Sequence, residues 1–369
     1  MTRDSDSRDR LIALNSGESL ARDSICKLAR HLDELVNSGE SATVLGQRLG
    51  VPTTDLTEAK RLTAAAHDLA DLQLELAEKQ AAEIVTLLDP GYPQALHDLE
   101  LPPPVLYCQG RIPAAPAIGI VGSRQATPQG IDVAELFGRE LAMWGLTVVS
   151  GFARGIDLAA HRGALSSLDG RTVAVLGCGL DVDYPSGRRH TRKTIPIHGA
   201  LVSEFPFGAQ PRTWNFPIRN RIIAALSLGI LVVQGTPRSG SLITARLALD
   251  LGRDVYAIPG SILDRRSAGP NALIQDGALL ANRPEDVVES LPAAVLESLR
   301  HSISQSGGRQ VTGPLGELLQ DLPPGQRVTA EQLSSSTGRP LDQILGILLE
   351  LEMMGLVKRF PGPVFSRKL

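Results

Sequence analysis

The segment EFPFGAQPRTWNFPIRNR, residues 204–221, concentrates the residue types that hold a nucleic-acid strand. The chain has thirteen aromatic rings among 369 residues (7 Phe, 2 Trp and 4 Tyr), and Phe205, Phe207, Trp214 and Phe216 fall within this segment. Arg212, Arg219 and Arg221 are interleaved with them, and Asn220 sits between the last two. Bases stack on rings while guanidinium groups neutralise phosphates, which is the combination a single strand requires. Some of these rings are expected to anchor a long loop in the core, with Trp214 or Phe216 as the exposed one. From Tyr184 to Ile222, Arg188, Arg189, Arg192, Lys193 and the same three arginines oppose a single acid, Glu204. The local charge is about +6 on a chain of net charge -3.

Two further segments have phosphate-binding character. In GIVGSRQATPQG, Gly122 permits a sharp turn after a strand, Ser123 offers a hydroxyl, and Arg124 precedes a helix start. Backbone N–H groups, helix dipole and guanidinium can then meet one phosphate. An ordinary βα turn with a surface arginine would carry the same residues. GTPRSGSLITA has the Gly235-x4-Gly240 spacing of a Walker A loop, but Ser241 stands where the lysine should be. That predicts no ATPase, while a glycine-rich nest for a backbone phosphate stays open. Gly177-Cys178-Gly179 begins a dinucleotide fingerprint that fails at Val182, so no nicotinamide cofactor is expected. Asp157 and His161 are four apart and read as a structural pair sharing one helix face. With no GxSxG, HExxH or CxxC, no catalytic or metal motif is complete.

These segments need elements to position them. AIGIV (117–121), LTVVS (146–150), TVAVL (172–176), ALVS (200–203), GILVV (229–233) and DVYAI (254–258) are continuous apolar runs, suited to parallel strands covered on both faces. The intervening segments are long enough for crossover helices. The fold expected is a Rossmann-like, doubly wound, mostly parallel α/β sheet with its functional loops at the strand carboxyl ends. Leu28, Leu32, Leu35 and Leu69, Leu72, Leu76 recur at helical spacing, giving a helical N-terminal domain over 1–95 ahead of a core over 96–293. A polar Ser/Gly-rich stretch places a linker at 294–313. Residues 314–369 read as a winged helix: a helix, a second from Thr329, a third near 340–354, and a hairpin around Phe360-Pro361-Gly362. The third helix carries Asp342, Glu350 and Glu352 and no basic residue, which disfavours groove reading by that helix and suits a partner or regulatory role.

Composition bounds the class. At 43% hydrophobic and 21% charged residues, the chain is an ordinary globular sequence. The charged start MTRDSDSRDR predicts no secretory leader. The run between Arg221 and Arg238 is broken by Ser227, Gly229, Gln234 and Gly235, and is too short for a bilayer. Cys26, Cys108 and Cys178 are far apart, which fits a reducing cytoplasm without structural zinc.

Six motifs, in order, resemble the DNA-processing protein A (DprA/Smf) family: GIVGSRQATPQG, VVSGFARGIDLAAH, TVAVLGCGLDVDYP, NFPIRNRIIAALS, SGSLITARLALDLGRDVYAIPG and GPNALIQDGA. They cover about 100–292; the flanks match only in type. The resemblance implies a cytoplasmic homodimer without catalytic residues. It implies binding of single-stranded DNA, protection of incoming strands and loading of the RecA recombinase in natural transformation. DNA contacts carried over by position are Ser123 and Arg124, Arg154, and Phe216 through Arg221, with Gly240 and Ser241 nearby. Two departures stand out. YPSGRRHTRK replaces the family's YP-x-x-N, and Val232-Val233-Gln234-Gly235 replaces VVEA, removing a carboxylate. Arg154 keeps the charge where the family often has Lys. The alternative is a nucleotide-binding enzyme like the nucleoside-monophosphate phosphoribohydrolases, whose PGGxGTxxE signature has no counterpart glutamate in GTPRSGSLITA.

Overall fold

In the computed structural model, residues 2–17, 19–306, 313–322, 327–353, 357–360 and 362–367 are described. Residues 1–299 form one compact unit and 300–369 a second.

Six helices open the chain: α1 (Thr2–Asn15), α2 (Arg22–Arg30), α3 (Leu32–Asn37), α4 (Ala42–Leu49), α5 (Thr53–Ala64) and α6 (Ala66–Lys79). Leu72 of the second expected stripe is exposed, because α6 turns Ala70 and Ala77 to the core, but Leu28, Leu35, Leu45 and Leu56 are fully buried. They share one apolar cluster with Tyr107, Leu176 and Leu201 of the sheet. The helical segment is therefore a layer of the first unit rather than a domain over 1–95. It also ends earlier, because β1 (Ala82–Thr86) and β2 (Val105–Gly110) form an antiparallel pair on the sheet edge. β1 was missed because AEIVT continues an apolar helical period and is too short to break it.

The remaining elements of this unit are β3 (Ala117–Val121), α7 (Pro128–Met143), β4 (Thr147–Ser150), α8 (Ile156–Leu165), β5 (Arg171–Leu176), α9 (Arg189–His198), β6 (Gly199–Ser203), α10 (Asn215–Ala225), β7 (Gly229–Val232), α11 (Gly240–Asp250), β8 (Asp254–Ala257), α12 (Ala268–Gln275), β9 (Leu279–Leu280), α13 (Pro284–Glu289) and α14 (Ala293–Ser306), which reaches into the second unit. The sheet runs β1-β2-β6-β5-β4-β3-β7-β8-β9, and β3 to β9 are parallel throughout. All six apolar runs are strands, as expected for a doubly wound sheet. Alternate residues feed opposite faces: Ile118, Ile120 and Leu231 pack on α7 and α8, whereas Val121, Val149, Val173 and Val232 pack on α10 and α11.

The strand order decides where a ligand can go. From β3 the chain winds one way through β4, β5 and β6, then returns to β7 beside β3 and winds the other way. The loops after β3 and β7 therefore diverge, leaving a crevice at the strand carboxyl ends.

The linker expected over 294–313 is corrected in part. α14 occupies 293–306, because Val295, Leu296 and Leu299 pack on the α7 face of the sheet; residues 307–312 lie outside the described residues. The second unit contains α15 (Pro314–Asp321), β10 (Val328–Thr329), α16 (Ala330–Thr337), α17 (Leu341–Met353), β11 (Val357–Phe360) and β12 (Val364–Arg367). Its antiparallel sheet, in the order β10-β12-β11, is that of a winged helix. Pro361 of the expected hairpin lies outside the described residues. Thr329 caps α16 reciprocally with Gln332, and Leu318, Leu333, Ile344, Leu348 and Phe365 form this unit's core.

A buried polar cluster ties the helical layer to the sheet. Arg221 Nη2 donates to Glu204 Oε2 at 2.7 Å, with side-chain exposures of 14% and 1%. The Glu204 carbonyl accepts from Asn15 Nδ2 at 3.0 Å, and Arg22 Nη1 donates to Asn15 Oδ1 at 2.8 Å. Removing one partner of such a pair leaves an uncompensated internal charge. Glu204→Ala is expected to destabilise the first unit by about 3–5 kcal/mol, read as a shifted midpoint in urea unfolding at unchanged slope.

Candidate functional site

The crevice between the β3 and β7 loops has a volume of about 570 Å3. On the β3 side, Gly122 follows the strand where a Cβ would lie 2.6 Å from Ile156 and 2.9 Å from the Gln234 carbonyl. Only a glycine lets these two loops approach so closely. Ser123 and Arg124 continue along the rim. Thr127 then caps α7 by accepting from the Gly130 N–H at 3.0 Å. Gln234 completes this cap: its Oε1 accepts from the Thr127 N–H at 3.0 Å and its Nε2 donates to Thr127 Oγ1 at 2.9 Å. An amide can donate and accept at once whereas an ionised carboxylate only accepts, so Gln234 serves the loop's structure.

On the β7 side, the GTPRSG loop is tied down by the Gly235 N–H donating to the Arg266 carbonyl at 2.6 Å and the Gly269 N–H donating to the Gly235 carbonyl at 2.8 Å. It delivers Thr236, Ser239, Gly240 and Ser241 to the crevice at the N-terminus of α11. The Ser239 and Ser241 hydroxyls are 2.6 Å apart, and Asn220 Nδ2 donates to the Gly240 carbonyl at 3.3 Å. The N-terminus of α10 enters from the third side with Thr213, Phe216 and Arg219. Unpaired N–H groups and the positive ends of two helix dipoles favour an anion in this position.

Arg219 forms the floor. It is 3% exposed, and its Nε has no hydrogen-bond partner. A Cβ on Gly151 would collide with its guanidinium, so the glycine of SGFARG makes room for a buried cation. Burial pushes the Arg219 guanidinium down to about 10, with Asp157 opposing the change, so it stays charged at neutral pH. Burial likewise pushes the Asp157 carboxyl up, while Arg219 and then the Ala153 N–H pull it back. Asp157 Oδ2 accepts from the Ala153 N–H at 3.3 Å. His161 does not pair with Asp157: its Nδ1 lies 2.7 Å from Thr172 Oγ1, whose hydroxyl also donates to the Val148 carbonyl at 2.7 Å. Asp157 also lines the crevice beside Arg219, whereas His161 is fully buried and its Nε2 has no partner.

The crevice brings together eight of the eleven residues singled out from the sequence: Gly122, Ser123, Arg124, Phe216, Arg219, Asn220, Gly240 and Ser241. Arg154 is exposed in an adjoining hollow with Arg124, Tyr184 and Pro185. One position is corrected, and a second lies apart from the crevice. Arg221 points away into the Glu204 cluster, because residues 219 and 221 lie about 200° apart on a helix. Arg212 lines a second cavity beyond the crevice, its guanidinium carbon 5.6 Å from the Trp214 ring. The local charge is consequently less a surface field than its sum suggests: Arg219 and Arg221 are internal, and Arg192 donates to the Leu180 and Tyr184 carbonyls.

The rings also sort themselves. Phe205 and Phe207 are core, Phe216 is half-buried, and Trp214 is 59% exposed. Arg124 lies 4.6 Å from the Phe216 centroid, and the Tyr184 ring is 5.6 Å away at 34°. Phe216 therefore props the Arg124 guanidinium at the rim through a cation–π contact. Sequence reading missed Thr213, Thr236, Ser239 and Thr244 of the lining; the GTPRSGSLIT hydroxyls were the available signal for three of them.

Residues 83–292 match the family model for the DNA recombination-mediator protein A, and 309–363 match a DprA winged helix domain. The chain belongs to the DprA/Smf family. It is 40% identical to Protein Smf of Escherichia coli over 70% of this chain and 71% of that one. It is 43% identical to the DNA processing protein DprA of Streptococcus pneumoniae over 55% of this chain and 72% of that one. The X-ray structure of the S. pneumoniae DprA superposes with a TM-score of 0.65 at 34% identity, covering 77% of this chain and 98% of that chain. A Helicobacter pylori DprA structure, described by its single-stranded DNA binding mode, superposes at 0.50 with 30% identity, covering 56% of this chain and 95% of that one. The DprA core, 83–292, contains every candidate residue, and eight of them line the crevice at the switch point of its sheet.

Two outcomes follow from this packing. Gly151→Ala is expected to displace Arg219 and to destabilise by about 1–3 kcal/mol, measured by urea unfolding. Burial first, and Arg219 second, push His161 from 6.5 down to about 3. Between those values the unfolded chain binds a proton that the folded chain refuses, so stability falls as pH drops from about 6.5 toward about 3. His161→Asn should flatten that part of a stability-against-pH profile.

Proposed function

We propose that the chain binds single-stranded DNA in this crevice without chemically altering it. As a cytoplasmic homodimer it protects incoming strands and loads the RecA recombinase on them in natural transformation. The observation that carries the reading is the buried Arg219 cation beneath a crevice rimmed by Arg124 and the N-termini of α10 and α11. Its Nε–H lacks a partner, and a buried unsatisfied donor is costly until an acceptor arrives. A phosphate supplies both the acceptor and the charge. Membership of the recombination-mediator family and the single-stranded DNA named for the H. pylori relative support the same ligand.

In this reading Gly122, Ser123, Asn220, Gly240 and Ser241 hold the backbone at the crevice, Arg124 and Arg154 neutralise phosphates at its rim, and Arg219 fixes the charge of its floor. A labelled dT oligonucleotide should bind more tightly than a duplex of equal length, with affinity falling as salt rises. Each phosphate contact contributes a slope of about -0.7 in log K against log salt. Arg124→Ala should lower affinity for all sequences alike and reduce that slope by about 0.7. Equal binding of duplex and single strand, or an unchanged Arg124→Ala variant, would refute the assignment.

In this reading no catalytic step is assigned to the crevice: Asp157, which lines it, accepts from the Ala153 N–H beside Arg219, and His161 Nδ1 lies against Thr172. Incubation with nucleoside monophosphates is expected to release no base. Released base would restore the phosphoribohydrolase-like alternative.

A further inference from the structure

Residues 212–215, entering α10, form a ridge between the crevice and a second cavity of about 520 Å3. Thr213 lines the crevice, and its neighbour Trp214 lines the second cavity. Leu20 and Arg22 reach in from the helical layer, while Phe205, Gln210 and Ile218 supply the loop and helix walls. The volume is that of a small-molecule site. Its walls combine apolar surface with the guanidinium groups of Arg22 and Arg212, the amides of Gln210 and Asn215 and the carboxylate of Asp23. Arg22 is held over the Phe205 ring at 4.9 Å and fixed by Asn15 Oδ1 at 2.8 Å.

The one ring of this region that presents a broad exposed surface is Trp214, at 59%. Phe216 in the crevice is covered by Arg124 and flanked by Tyr184. Stacking surface thus lies on the far side of the ridge from the phosphate-binding groups. Arg212 stands beside Trp214, with its guanidinium carbon 5.6 Å from the ring centroid.

We propose that this second cavity is a base-binding subsite: one nucleobase of a single strand stacks on Trp214 while the strand's backbone crosses Arg212 and Thr213 into the crevice. The inference rests on the crevice holding that strand. An apolar slot with an aromatic wall suits the faces of a base, and Arg22 and Gln210 suit its polar edges. Continuity along the ridge identifies the occupant as part of the same ligand. The helical layer, through Leu20 and Arg22, then forms part of the nucleic-acid surface.

The chain has two tryptophans, Trp144 and Trp214. Trp144 lies at the end of α7, packed against the other face of the sheet. In full-length Trp144→Phe protein, titration with a dT oligonucleotide should quench the Trp214 fluorescence with the same midpoint as the anisotropy of labelled oligonucleotide. Trp214→Ala should weaken strand binding about 5- to 150-fold, the range of one lost base stack, and Trp214→Phe should recover most of it. The exposed side chain leaves stability nearly unchanged, so thermal melting of these variants serves as the folding control. An unquenched Trp214 together with full affinity in Trp214→Ala, while Arg124→Ala still weakens binding, would overturn the second subsite and leave the crevice reading standing. Loss of all strand binding by the unaltered protein would overturn both. Quenching by thymidine monophosphate at the same concentrations as the oligonucleotide would overturn the strand subsite in favour of a free-nucleotide site.

Discussion

A guanidinium buried beneath a crevice is costly unless its surroundings are built to keep it there. Arg219 is 3% exposed, and several features of the surrounding loops answer to it. Gly151 lacks a side chain because the guanidinium occupies that space. Asp157 supplies the opposing charge from the first turn of α8, and Ala153 steadies that carboxylate with its N–H. Phe152, between them, adopts a left-handed φ of 56° with its ring in the core, a conformation tolerated only where packing overdetermines it. The SGFARGID turn thus converts backbone strain and a missing side chain into a fixed positive floor.

The rest of the site is layered on that floor by the sheet. Because β3 and β7 are neighbours whose crossovers diverge, their loops open a gap no side chain has to fill. α10 and α11 then present their N-termini to the gap. Electrostatics of this kind are preorganised: the donors already point inward, so binding an anion requires little rearrangement. Arg124 is held at the rim by Phe216 in the same spirit, an exposed cation kept in one place by the ring beneath it.

The departures from the family pattern acquire physical meaning in this setting. Gln234 joins the β7 loop to the cap of α7 by donating and accepting with the same Thr127. The amide therefore couples the two sides of the crevice through a neutral contact. In the YPSGRRHTRK segment, Arg189 pairs with Asp183 at 3.4 Å and Arg192 is tied to the carbonyls of the loop it follows. Part of that segment's charge is spent on its own structure.

The sequence by itself determined six strands of the parallel sheet, the winding class and the winged helix. Continuous β-branched runs, glycine-bearing turns and helix caps are local signals read over a few residues. It could not determine which arginine faces which way. Arg219 and Arg221 belong to one motif two residues apart, yet one floors the crevice and the other pairs with Glu204 beneath the helical layer. Helix geometry sets them about 200° apart, and only the packing of α10 against the sheet decides which of them faces the crevice. The same holds for the rings, since Phe205 and Phe207 became core and Trp214 stayed exposed through the path of a loop packed on residues nearly two hundred positions away. It holds again for AEIVT, a strand only because the β2 edge is there to pair with it. Local pattern sets what a segment can form; burial against distant parts of the chain decides which of its side chains remain available to a ligand.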